Sequence, residues 1–138
     1  MTQLAEFLFP APAERRPGAI WKWWEKRRLA YNVWVGGAGL VTVGVGIALN
    51  LLTPGAQVAL SELGFIWIPI AIFGGLANVF YTSGAVIEMV VNKIWGREIL
   101  PVGPALYRMG LTFSVGLALF PALIMLIAWV VRIVAGIF

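Results

Sequence analysis

Asn78, Tyr81, Thr82, Glu88 and Asn92 are the residues of this sequence best suited to chemistry inside an apolar setting. With Ala85 they recur every three or four positions, so a helix gathers them into one stripe. A carboxylate, a phenol and amides on one face can do two things. They can hydrogen-bond a neighbouring helix, with Asn78 and Thr82 reaching across and Glu88 pairing with Arg27, Arg28 or Arg108. Alternatively, Glu88 can handle a proton or cation, with Tyr81 and Asn78 along its path. Three spans make thin walls for a conduit, so the second reading also requires an oligomer.

Most other chemistry is excluded by what is missing. The chain has no Cys, no His and no Asp. Disulfides, Cys/His zinc sites, a His general base and axial His or Cys ligation of haem are therefore impossible. The six acids are all Glu and lie apart, at Glu6, Glu14, Glu25, Glu62, Glu88 and Glu98. No carboxylate cluster suggests a metal, and no nucleophile–base pair suggests an enzyme acting on lipid. Catalytic, cofactor-binding and metal-ligating residues are accordingly none. The glycines of the first apolar run lack the G-x-G-x-x-G order and the strand–helix context of a nucleotide loop.

The elements that carry the stripe are dictated by composition. Of 138 residues, 61% are hydrophobic and 12% are charged. Soluble domains carry about 45–50% apolar and about 25% charged residues, and a chain this short cannot hide such a surplus in one core. The expected fold is an all-α integral membrane protein with three transmembrane helices and a short N-terminal interfacial helix.

Residues 1–30 form an amphiphilic segment. Pro10, Pro12 and Pro17 break regular structure at its start. Its early apolar run is too short, and its basic residues come too late, for a signal peptide. Roughly 18–30 is expected to lie at the interface and run into the first span. Trp21, Trp23 and Trp24 alternate there with cations and read as interfacial anchors, as does Trp95.

The remainder, 31–138, is a three-span domain with spans near 32–52, 63–92 and 104–132. The first holds Gly36, Gly37, Gly39, Gly44 and Gly46, with Ala38, Thr42 and Gly46 on one face. Small residues let helices approach closely in lipid. Gly110, Ser114, Ala118 and Ala122 form a similar ladder on the third span. Pro121 is expected to bend that span, and Pro69 sits in the first turns of the second.

Basic residues fix an expected orientation. Six of the ten precede Tyr31, none lies in the first loop, and Lys93, Arg97 and Arg108 surround the second loop, which leaves Arg132. The positive-inside rule puts the N-terminus and second loop in the cytoplasm, and the C-terminus on the opposite side. The formal charge of +4 therefore reads as topology and contact with anionic lipid, not as nucleic-acid binding.

Two strings carry a resemblance. Trp24–Asn32 reads W-x-x-R-R-x-x-Y-N, and Ala77–Glu88 reads A-N-x-x-Y-T-x-G-x-x-x-E. Together they resemble a group of small bacterial multi-span membrane proteins with no established function. The resemblance implies that the Tyr31–Asn32 and Asn78–Glu88 regions share one structural design, and that the chain belongs in a bacterial inner membrane. Because Tyr31 and Asn32 enter the membrane on the side where Glu88 leaves it, these residues are expected to form a buried or half-buried cluster.

The expected function is that of a non-catalytic accessory subunit of a larger membrane complex, respiratory or photosynthetic assemblies being examples. The alternative is a small oligomeric proton or cation transporter using the Asn78–Glu88 stripe. Expected partners are membrane lipids and other membrane protein subunits. No cofactor or small-molecule substrate is identified.

Overall fold

The computed structural model describes residues 16–53, 62–95 and 102–136. The proline-broken arm before Arg16 and most of the two connecting turns lie outside the described residues. Among the described residues three α-helices follow in order: α1 (Pro17–Leu52), α2 (Trp67–Trp95) and α3 (Gly103–Val134). A single 3-10 stretch, Glu62–Ile66, leads into α2. No strand occurs among the described residues. Each of the three helices is long and apolar enough to cross a membrane, which marks the chain as a multi-pass membrane protein.

The segment near 18–30, expected as an interfacial helix that runs into the first span, does not stand apart as an extra helix. Those residues are the first turns of α1, which runs unbroken for 36 residues. Pro17 occupies the start, where a missing N–H leaves no bond unmade. After Gly18 in the first turn, no Gly or Pro occurs until Gly36, so nothing interrupts the backbone ladder. At 1.5 Å per residue α1 is about 54 Å long. That exceeds a hydrocarbon core of about 30 Å, so α1 is longer than one crossing needs.

Side-chain pairs fix the packing directions. Trp24 meets Glu88, Arg28 meets Thr82, and Asn32 meets Asn78, so α1 and α2 are antiparallel. Tyr31 meets Ser114, Thr42 meets Ala118, and Thr53 meets Trp129, so α1 and α3 are parallel. The α1–α3 contact runs the length of both helices and is the most extensive of the three.

Helix α2 is fastened differently. Its buried residues, Ala77, Tyr81, Ala85 and Glu88, all lie in its C-terminal two-thirds. Trp67, Ile68, Ile70 and Ile72 at its beginning are exposed. The core therefore sits at one end of the bundle. It joins Ile20, Trp23, Trp24, Tyr31 and Val35 of α1 to Ala77, Tyr81 and Ala85 of α2 and Tyr107 of α3.

Pro121 lies inside α3. It leaves the carbonyl of Leu117 without the donor that a non-proline residue would supply. One residue on, the Ala118 carbonyl accepts a bond from Thr42 Oγ1 at 2.6 Å. A hydroxyl from the neighbouring helix thus binds backbone at the disturbed turn, as is common where proline interrupts a membrane helix.

Candidate functional site

The polar stripe on α2 faces α1, and the two quoted strings meet residue by residue. Asn78 Nδ2 donates to Asn32 Oδ1 at 3.0 Å and to the Gly74 carbonyl at 3.0 Å. Arg28 donates to Thr82 Oγ1 at 3.2 Å, and Thr82 in turn donates to the Asn78 carbonyl at 2.9 Å. The Tyr81 hydroxyl donates to the Trp24 carbonyl. The Tyr31 hydroxyl donates to the Ala77 carbonyl at 3.1 Å and lies 2.8 Å from Ser114 Oγ. Tyr31 thus hydrogen-bonds both other helices at once.

Aromatic rings fill the space between these bonds. Trp24 meets Tyr81 edge-on at 5.1 Å between centroids, and Tyr31 lies 4.6 Å from Tyr81. Tyr107 brings α3 into the cluster, 6.2 Å from Trp23, Trp24 and Tyr81. Such pairs contribute about 0.5–1.5 kcal/mol each beyond the area they bury.

Glu88 lies at the centre of this node and is 4% exposed. Its Oε2 accepts the Trp24 indole N–H at 2.7 Å. Its carboxyl group also lies against the first turn of α3. A methyl group placed on Gly103 would fall 2.6 Å from both Cδ and Oε1 of Glu88. Helix α3 begins at Gly103 with no side-chain cap from Val102. A carboxylate beside its amino end therefore sits where the helix dipole favours negative charge. Only a glycine admits the carboxylate there. Gly84 has the same role for the Trp24 ring, whose edge would lie 2.6 Å from an added Cβ.

Arg27 and Arg28 act elsewhere than expected. Arg27 donates to the Trp23 carbonyl at 3.2 Å and lies 4.0 Å over the Trp23 ring. Arg28 pairs with Glu25 at 2.7 Å and stacks over Tyr81. Neither pairs with Glu88; the neutral Trp24 indole fills that position. An indole donor satisfies the carboxylate without the large penalty of stripping water from a guanidinium. Arg108 is exposed on α3.

The tryptophans divide. Trp21 and Trp95 are exposed, at 40% and 62%. Trp23 and Trp24, expected as interfacial anchors, are instead buried in the core. Helix phase decides this: adjacent positions on α1 point in different directions, and those two face α2 and α3.

Of the packing residues, Ala38 is buried on α1, and Ser114, Ala118 and Ala122 are buried on α3. A methyl group at Gly46 would make ordinary contact with Met125 Sδ at 3.4 Å. Gly110 departs from the ladder. It is exposed, and its Cβ position faces open space. Each four-residue step overshoots a full helical turn by about 40°, so a ladder that is buried at Ala122 has rotated off the interface by Gly110.

Chemically, the node brings donors and acceptors together and binds them to one another. It holds no nucleophile beside a base. Comparison with protein-family models, curated proteins and solved structures finds no match.

Proposed function

We propose that this chain is a non-catalytic structural subunit of a larger membrane-protein complex, and that it receives a neighbouring subunit's helix on the outer face of α1. One observation carries this reading: Gly36, Gly37 and Gly44 have nothing within 4 Å of their Cβ positions. Glycine inside a helix is about 1 kcal/mol less favourable than alanine. In lipid its compensation is the close approach of a second backbone, and among the described residues no other helix makes that approach. Val33, Leu40 and Ile47, all exposed, line the same face and would form the walls of the notch.

This reading is favoured over a proton or cation conduit by the state of the polar stripe. The Asn78 amide and the Tyr81 and Thr82 hydroxyls of the stripe bond to α1, and further along α1 the inward positions are Ala38, Thr42 and Gly46. We place the protein in a bacterial inner membrane with the N-terminus in the cytoplasm and the C-terminus opposite, on the strength of the basic residues near the start of α1.

The test is purification in mild detergent with mass spectrometry of whatever accompanies the chain. A stoichiometric membrane partner is expected, and it should be lost from Gly36→Leu and Gly44→Leu variants that still fold. A chain that purifies alone as a stable monomer refutes the proposal.

A further inference from the structure

Helices α2 and α3 do not close over the aromatic core. Between them runs an apolar groove of about 480 Å³. Phe80 of α2 and Phe113 of α3 wall it, and Trp24 and Tyr31 of α1 form its floor. Both wall residues are exposed, at 70% and 69%, so the groove opens sideways towards whatever surrounds the bundle. Gly110, which leaves the α1–α3 interface, lines this groove instead.

Its dimensions select an occupant. The α2 wall extends from Phe73 to Ile87, about 21 Å at 1.5 Å per residue. One leaflet of a bilayer core is about 15 Å deep, half of ~30 Å. The groove therefore spans the depth of a leaflet, at the end of the bundle where α1 begins. A partner helix, about 10 Å across with its side chains, is too broad for a slot floored by rings that are themselves 2% exposed. A single hydrocarbon chain is not. Exposed cations stand at the same end: Lys22 and Lys26 on α1, Lys93 on α2 and Arg108 on α3. Positive charge at that level attracts anionic headgroups in the same leaflet.

We propose that this groove holds one acyl chain of an anionic phospholipid as a resident lipid, in the leaflet that contains the start of α1. The occupant wedges α2 from α3 over the Trp24–Tyr31 floor and completes the side of the bundle that the three helices leave open.

The experiment is native mass spectrometry of the full chain, reconstituted in vesicles of equal phosphatidylglycerol and phosphatidylcholine and released in mild detergent. The expected result is one phosphatidylglycerol per chain, favoured by about tenfold over phosphatidylcholine. Gly110→Leu fills the groove from a position with open space and should lose the lipid. Gly36→Leu, equally open but on the far side of α1, should keep it. Phe113→Ala removes a wall and should weaken retention; it decides the matter if Gly110→Leu does not fold. A wild-type chain without lipid overturns the proposal. So does retention by Gly110→Leu and Phe113→Ala, equal retention of both lipids, or a second copy of the chain or a prenyl lipid in place of the phospholipid.

Discussion

Replacing Gly103 by alanine should destabilise the bundle, and should do so only while Glu88 is present. The added methyl would stand 2.6 Å from the carboxyl carbon of Glu88, well inside contact distance. The carboxylate cannot swing away freely, because it is buried and the Trp24 indole holds it at 2.7 Å. Displacing it breaks that bond, and leaving a buried donor or acceptor without its partner costs about 1–3 kcal/mol. It also draws the charge away from the amino end of α3, where a partly buried carboxylate contributes up to ~2 kcal/mol. Together these give about 2–4 kcal/mol for Gly103→Ala. Glu88→Ala should lose a similar amount, because it removes both interactions and leaves the indole N–H without its acceptor. In the double variant the methyl meets no carboxylate, so its added effect should fall below about 0.5 kcal/mol, giving a coupling energy of about 2–3 kcal/mol. The assay is reversible unfolding in mixed micelles, followed by tryptophan fluorescence. If Gly103→Ala is equally destabilising with and without Glu88, the carboxylate does not fill the space above Gly103 and the reasoning fails.

Other positions give independent checks. Tyr31→Phe removes the hydroxyl that bonds both Ala77 and Ser114 and should destabilise by about 1–2 kcal/mol in the same assay. Thr42→Val keeps the shape of the side chain but withdraws the donor beside Pro121; a loss of about 0.6–1.7 kcal/mol is expected, and it should shrink in a Pro121→Ala background. Gly84→Ala drives a methyl into the Trp24 ring, so it should cost more than 2 kcal/mol and be largely relieved by Trp24→Leu. By contrast, Gly36→Leu meets open space and should raise the stability of the isolated chain, by up to about 1 kcal/mol.

Much of this arrangement was legible in residue spacing. The three- and four-residue recurrence from Asn78 to Asn92 specifies a helical stripe, and polar groups in an apolar helix must find protein partners. The strings around Trp24–Asn32 and Ala77–Glu88 were therefore recognisable as two halves of one contact. The partner of Glu88 was not. Charge alone pointed to an arginine, whereas the phase of α1 brings Trp24 there and turns Arg28 towards Thr82 and Glu25. Trp23 and Trp24 were misread for the same reason: tryptophans among cations suit an interface, and only the relative rotation of packed helices reveals which rings turn inward. Gly103 falls between the expected second and third spans, and its role was not legible because a glycine's close approach depends on a side chain 15 residues earlier in the chain. The placement of Ser114, Ala118 and Ala122 was readable, but the slow rotation of a four-residue ladder that carries Gly110 off the interface becomes visible only with α1 in place.

The unequal fastening of α2 has a consequence for biosynthesis. Helices leave the ribosome in chain order, yet the most extensive contact joins the first helix to the third. While only α1 and α2 are inserted, Trp24 can reach Glu88 and Asn32 can reach Asn78, so the antiparallel hairpin closes at its lower end. The Tyr31 hydroxyl then has the Ala77 carbonyl but not Ser114, and Ala38, Thr42 and Gly46 still face lipid. When α3 arrives, its amino end meets a carboxylate already in position, and its small residues close along α1 from Ser114 towards Trp129. The order of synthesis and the order of packing are reconciled because the helix made second is gripped at one end only, which leaves the rest of α1 free for the helix made last.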